Sequence, residues 1–156
     1  MSEFVHLDGE GHARMVDVTH KEPTVRAATA RAFVTCDAKA IAALRAGEVP
    51  KGDALAVARL AGIQAAKRTP ELIVLAHVIG VHGVEVDVTV TDDGVAILAT
   101  VRTADRTGVE MEAMTAAAVA ALNVVDMVKG MDRSVAIRDV ELVSKDGGRS
   151  GSWRRE

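Results

Sequence analysis

Alternation of apolar and polar positions is clearest between Val84 and Val90. Val84, Val86, Val88 and Val90 are apolar, with Glu85, Asp87 and Thr89 between them. This period of two predicts a strand with one wet and one dry face. Thr91-Asp92-Asp93-Gly94 follows, and Asp-Gly is a strong hairpin signal, so Val95 to Arg102 reads as the return strand. Upstream, Thr24 to Thr35 is β-branched and roughly alternating through Val25, Ala27, Thr29, Phe33 and Val34, a further strand. Asp37 is placed to cap a short helix, Ala38 to Ala46, closed by Gly47. Pro50-Lys51-Gly52-Asp53 reads as a loop. Asp53 then caps a longer helix to about Arg68, with Leu55, Ala58, Leu60 and Ile63 on its apolar face and Pro70 stopping it. Gly108 precedes a long helix from about Glu110 to Met131. A last strand is predicted from Val135 to Val143.

The order β, α, α, β, β, α, β becomes βαββαβ once one short helix is set aside. That order predicts an α+β fold: a ferredoxin-like plait with an extra helix, its antiparallel sheet covered by helices. Residues 1–22 are expected as a flexible N-terminal segment, 23–145 as a single domain, and 146–156 as a flexible Gly/Arg-rich tail. The long helix has almost no polar face, through Met114, Ala116 to Ala118, Val119, Ala120, Ala121, Leu122, Val124 and Val125. A helix apolar all round is buried on more than one side. One sheet cannot cover it, which points to a subunit interface; the alternative is cover by the chain's own tails.

Composition narrows the function classes. The chain has 156 residues, 49% hydrophobic and 26% charged, enough for one domain core. A net charge of −3 and 2% aromatics, with no Tyr, weigh against nucleic acid and membrane surfaces as partners. Cys36 is the single cysteine, which excludes an internal disulfide or a multi-Cys metal site and suits a reducing, cytoplasmic setting. The apolar run Ala113 to Val125 is shorter than the ~20 residues of a membrane span.

Several polar residues could carry chemistry. Asp126 and Lys129 are i, i+3 neighbours on the long helix and can meet. They read either as a helix-terminal ion pair or as a proton-transfer couple. Following an apolar run, Asp126 is expected to be partly desolvated, which raises a carboxyl pKa, while the lysine lowers it. Glu112 lies on nearly the same helix face but ~21 Å away at ~1.5 Å per residue. Lys51 and Lys67 likewise bracket the second helix. A site assembled from two subunits would resolve both distances. Arg26, Lys51, Lys67, Arg68, Arg102, Arg106, Lys145 and Arg149 fall around loops and could converge on a polyanion such as a triphosphate, or remain a solvated surface. Lys145-Asp-Gly-Gly-Arg-Ser-Gly151 reads as a phosphate-cradling loop without Walker spacing, or as a tail. His77, within Leu75-Ala76 and Val78-Ile79, reads as a core histidine. With His82 it lacks a carboxylate at metal-ligand spacing, so no metal site is predicted. Cys36 has no activating neighbour and is not a candidate nucleophile.

Taken in order, Met15-Val-Asp17-Val-Thr19, Lys21, Arg26, Lys51-Gly-Asp53, Ala58-Arg-Leu-Ala-Gly-Ile63 through Ala65-Ala-Lys-Arg-Thr69, Arg106-Thr-Gly-Val-Glu-Met-Glu-Ala113, Asp126-Met-Val-Lys129 and Lys145 to Gly151 resemble the MoaC family of molybdenum cofactor biosynthesis. The match runs from about Arg14 to Gly151. The resemblance implies a ferredoxin-like fold and a homohexamer, a trimer of dimers with the active site at the dimer interface. It implies a lyase that converts 3′,8-cyclo-7,8-dihydroguanosine triphosphate to cyclic pyranopterin monophosphate with release of pyrophosphate. No redox cofactor is implied. It makes Asp126 and Lys129 the catalytic acid/base pair and Lys51 a second essential lysine. Asp17, Arg26, Lys67, Arg102, Arg106 and Lys145 would hold the triphosphate or orient the base. Leu75, Ala76, His77, Glu110, Met111 and Glu112 would meet the substrate.

Two segments depart from the family pattern. Where the family reads Leu-Ile-Pro-Leu-Cys-His-Pro-Leu, this chain has Leu72-Ile-Val-Leu-Ala-His-Val-Ile79, keeping His77 and losing both prolines, which restrain backbone φ. Before the catalytic acid the family's tyrosine is Val125 here. These changes leave an alternative reading: a non-catalytic paralogue that binds the nucleotide or an active homologue. A third, an RNA binder using Arg149 to Arg155, is opposed by the acidic charge and scarce aromatics.

Overall fold

The computed structural model describes residues 6–156; the part of the N-terminal segment formed by residues 1–5 lies outside the described residues. The elements in chain order are β1 (Thr24–Thr35), α1 (Ala38–Ala46), α2 (Ala54–Lys67), α3 (Thr69–Leu72), β2 (Gly83–Val90), β3 (Gly94–Asp105), α4 (Glu110–Val128), β4 (Ala136–Asp146) and β5 (Trp153–Arg154). The strands form one sheet in the order β2-β3-β1-β4-β5, with every pairing antiparallel. Its first four strands have the connectivity of the ferredoxin-like plait.

Register sorts the residues by face. Ala28 lies opposite Val101 and Ala30 opposite Ala99, all of them buried beneath the helices. Arg31 lies opposite Leu98 on the other, open face. Arg26, opposite Thr103, and Lys145, opposite Ala28, belong to the helical side, whereas Arg102, opposite Ala27, belongs to the open side. Strand β4 is shifted against β1 at two places, and Asp139 within it has a φ of 54°.

Helix α1 begins as predicted, with the Asp37 carboxylate accepting the Ala40 N–H at 2.8 Å, and ends at Gly47 with a φ of 69°. That left-handed cap suits a residue without a Cβ. Helices α2 and α4 meet through small residues. Ala54, Ala58, Gly62, Ala65 and Ala66 are buried on α2, and Ala113, Ala116, Ala117, Ala120 and Ala121 on α4. A Cβ on Gly62 would stand 3.0 Å from the Ala116 carbonyl oxygen and 3.2 Å from Val86 Cγ2. Glycine therefore sets how closely the helices approach.

Some boundaries differ from the prediction. Pro70 does not end helical structure: Arg68 interrupts it, and Pro70 sits in the first turn of α3, where its missing N–H costs no hydrogen bond. Helix α4 stops at Val128, three residues early, because Met131 and Asp132 both donate to the Val128 carbonyl and tighten the chain into a turn. Strands β3 and β4 each run three residues further than predicted, to Asp105 and Asp146. Within residues 146–156, Trp153 and Arg154 return to pair with Lys145 and Ser144. Among the described residues α4, at 19 residues, is the one helix long and apolar enough to cross a membrane by length and composition alone, and it is the core helix of this fold.

Candidate active site

Two polar centres occupy the two ends of α4. At its C-terminal end, Lys51 reaches from the loop before α2. Its Nζ donates to the Asp126 carbonyl at 2.8 Å and to Asp126 Oδ2 at 3.0 Å. Lys129 Nζ is 2.7 Å from the other carboxylate oxygen, Oδ1. One carboxylate thus holds two ammonium groups, one per oxygen. The Asp126 side chain is 54% exposed, so the expected desolvation is corrected: Val124, Met127 and Val128 of the same turn are buried, while Asp126 lies with Leu122 and Lys129 on the opposite, solvent-facing side of α4. Hydrogen bonds from Lys129 and Lys51, reinforced by their charges, hold its carboxyl below the usual aspartate range.

At the N-terminal end of α4, Leu75, Ala76 and His77 line a cavity of about 260 Å³ with Thr107, Gly108, Glu110, Met111 and Glu112. All six residues predicted to meet the substrate are therefore brought together. Glu112 is 3% exposed, and burial, with the charge of Glu110 adding to it, pushes its carboxyl above the ordinary range. Lys145 Nζ bonds Glu110 Oε1 at 3.1 Å and Ser150 Oγ at 2.9 Å, which carries the Gly-rich loop to the same end. His77 Nε2 stands 2.6 Å from the Val16 carbonyl, so the imidazole is engaged by the N-terminal segment rather than buried in the core. Next to Val16, the Asp17 carboxylate closes a turn on the Thr19 N–H and hydroxyl.

Arg26 and Arg106 form a pair beside this centre. Arg26 Nη2 donates to the Arg106 carbonyl at 3.2 Å, and Arg106 Nε donates to the Lys21 carbonyl at 2.8 Å. Arg26 also lines a cavity of about 600 Å³ with His20, Lys21, Glu22, Thr24, Gly148, Arg149 and Ser150. Two predicted binding residues stand apart. Arg102 lies on the open face of the sheet in an ion pair with Glu85 at 2.6 Å. Lys67 is exposed in the last turn of α2. Cys36 is half-buried; burial, with Asp132 and Asp37 nearby, pushes its thiol up to about 11, which suits an inert residue. Among the described residues no group of three or more His, Cys, Asp or Glu could hold a metal ion.

The sequence reading gave no role to Thr107, Gly108 or Lys21, and placed Ser150 only within the candidate phosphate loop. Thr107 and Gly108 carried a signal, since they immediately precede the helix that bears Glu110 and Glu112. Lys21 takes part through its backbone carbonyl, which no side-chain pattern reveals.

The chain is similar to proteins named cyclic pyranopterin monophosphate synthase. That of Streptomyces coelicolor is 57% identical, over 97% of this chain and 89% of its own length. That of Nocardioides sp. is 56% identical, over 97% and 95%. That of Geobacter metallireducens is 54% identical, over 98% and 97%. The family model for the MoaC family matches residues 15–148, which include both polar centres. The chain belongs to the MoaC family.

Proposed function

We propose that this chain is a lyase of molybdenum cofactor biosynthesis. Its substrate is 3′,8-cyclo-7,8-dihydroguanosine 5′-triphosphate, and its products are cyclic pyranopterin monophosphate and pyrophosphate. The observation that carries the reading is the pair of lysines on the Asp126 carboxylate, in a chain more than half identical to synthases over nearly its full length. Nothing at either centre favours a non-catalytic role.

In the phosphorus step, a substrate hydroxyl loses its proton to solvent and its oxygen bonds to the α-phosphorus. The bond to the β-phosphate oxygen breaks, and pyrophosphate leaves with the electron pair. The leaving group gains charge, and fixed cations stabilise it. Arg26, Arg106 and Lys145 supply them, with Lys67 and Arg102 joining from a neighbouring copy. Asp126, held ionised, is a weak base. Its part is to orient Lys51 and Lys129, whose ammonium groups donate protons during the ring rearrangement.

One substrate cannot touch both ends of α4, because Glu112 and Asp126 lie ~21 Å apart along it. The active site is therefore built from two copies, one giving the Lys51-Asp126-Lys129 centre and the other the His77-Glu112 centre. A homohexamer, a trimer of dimers, is the assembly in which this happens. The exposed Leu60 (66%) and Leu122 (55%), on the outer side of the helical layer, are apolar surface that a second copy would cover.

An anaerobic single-turnover assay tests this reading. Pyrophosphate and the oxidised fluorescent pterin should appear together with wild type, and both should vanish in Lys51→Ala and Asp126→Ala. Mixing Lys51→Ala with Glu112→Gln protein should restore product if the site spans two copies. A folded, oligomeric wild type that yields neither product overturns it.

A further inference from the structure

Between α3 and β2, residues 73–82 form no helix or strand, yet they carry Leu75, Ala76 and His77 into the candidate site. Val74 and Val78 within this segment are 93% and 89% exposed, and only Ile79 and Val81, towards its end, pack on the core, so apolar packing alone does not hold the stretch that carries His77. Polar bonds to the end of β3 complete the restraint. Gly80 N–H donates to Asp105 Oδ2 at 3.0 Å. The Thr103 hydroxyl donates to the Gly80 carbonyl. The Ala104 N–H donates to His82 Nδ1 at 3.2 Å, and the His82 N–H to the Arg102 carbonyl at 3.0 Å.

Asp105 is the junction of this set. Its second oxygen, Oδ1, accepts the Arg106 N–H at 2.7 Å, and its carbonyl accepts Arg26 Nε at 3.2 Å. Asp105, Arg106 and His77 line one cavity of about 390 Å³ together with Met15, Val18 and Thr19. An acid among cations would oppose an anionic substrate if its charge were free. Here each carboxylate oxygen is occupied by a backbone N–H, and those bonds hold the carboxyl below its ordinary range.

We propose that Asp105 is a positioning residue of the synthase site, its carboxylate locking the His77-bearing segment against Arg106 and so fixing the distance between His77 and the arginine pair. The inference rests on the lyase reading given above for its kinetic part. Its structural part stands without it. Asp105 acts through Gly80 and Arg106 and does not touch substrate.

The decisive variant is Asp105→Asn. It keeps the size and offers one acceptor oxygen, so one of the two N–H groups faces the NH₂ instead. Its kcat should fall about ten- to a hundredfold, the cost of misplacing a site group by about 1 Å. KM should change far less, because Arg26 bonds to the Asp105 carbonyl, which substitution leaves in place. Amide hydrogen exchange at Gly80 should accelerate, and the His77 imidazole NMR signals should move. Lys51→Ala, an inactive control, should leave both spectroscopic readouts at their wild-type values. Unchanged exchange at Gly80 in Asp105→Asn overturns the proposal. So does faster exchange with wild-type kcat, since that describes a purely structural bond. If wild type itself makes no pyrophosphate, the lyase reading fails and the exchange and His77 signals alone decide whether Asp105 holds the segment. Should Asp105→Asn fold poorly, Gly80→Pro removes the same N–H donor from the other side and must reproduce the His77 shift.

Discussion

Lys51 holds Asp126 at two points, its carbonyl at 2.8 Å and its carboxylate at 3.0 Å, across 75 residues of sequence. The bond joins the loop before α2 to the last turn of α4, and the ammonium group is half exposed while making it. An exposed ion pair adds little to stability, because water screens it and two long side chains lose freedom. Lys51→Ala and Asp126→Asn should therefore leave the melting temperature nearly unchanged. Turnover should fall on the order of 10² to 10⁴-fold, the usual contribution of a positioned proton donor. Calorimetry beside the pyrophosphate assay checks the contrast. A large loss of stability with modest loss of turnover would make the pair structural.

Gly62 limits how closely the helical layer packs. Alanine at a helix interior is favoured over glycine by ~1 kcal/mol. The added Cβ would press at 3.0 Å on a backbone oxygen of α4, which cannot swing aside, and overfilling of this kind costs ~1–3 kcal/mol. Gly62→Ala should thus be destabilising by about 1 kcal/mol, and Gly62→Val by more. Urea unfolding measures it. A stabilised Gly62→Ala would mean that α2 and α4 can separate.

The elements with strict local signals were legible in the sequence. Strand β1 and helix α1 end at the predicted residues, because alternation, the Asp37 cap and Gly47 each act within one turn of chain. The six residues expected around the substrate share one cavity, since they belong to only two short stretches that the plait brings together. What was not legible depends on distant contacts. The last three residues of β4, Ser144 to Asp146, are held by pairing with Thr29, Ala28 and Ala27 of β1, distant partners that no local pattern marks. The exposure of Asp126 follows from its place on the outer face of α4 with Leu122 and Lys129, which tertiary packing sets, so the apolar run before it was a misleading guide. Arg102 falls on the open face because strand parity, set by register with β1, separates it from Arg26.

Arg154 closes the Gly-rich loop after β4. Its guanidinium takes both Asp146 oxygens, at 3.1 and 2.9 Å, and the Lys145 carbonyl at 3.2 Å. Gly147 and Gly148 have φ values of 90° and 74°, and a Cβ on Gly148 would meet Arg26 Nη1 at 2.5 Å. Glycine-rich chain has high conformational freedom unless its ends are fixed. Arg154→Ala should release one end, so trypsin should cut after Arg149 several times faster, with the melting temperature little changed. Saturating inorganic triphosphate should slow that cut if Lys145 and Arg26 grip an anion. Equal cleavage rates in both proteins would show that pairing of β5 with β4 suffices.

Glu112 sets a pH dependence whose sign can be worked out. Burial raises its carboxyl above the ordinary 4.5 in the folded chain. A group raised on folding favours the folded state fully while protonated. That contribution is present below about pH 4.5 and is lost as pH rises through the folded-state value. Glu112→Gln removes the ionisation and keeps the shape. The variant and wild type should melt together near pH 4, and the variant should melt higher at neutral pH, where wild type carries a buried charge. Asp126 runs the other way: its lowered pKa gives only a small, solvent-screened contribution, present above 3.8 and lost in stronger acid. Glu112→Gln should accordingly flatten the stability curve between pH 4.5 and 7, and Asp126→Asn should not. Melting curves across that range decide it, and a Glu112→Gln curve parallel to wild type would place the Glu112 carboxylate in contact with water.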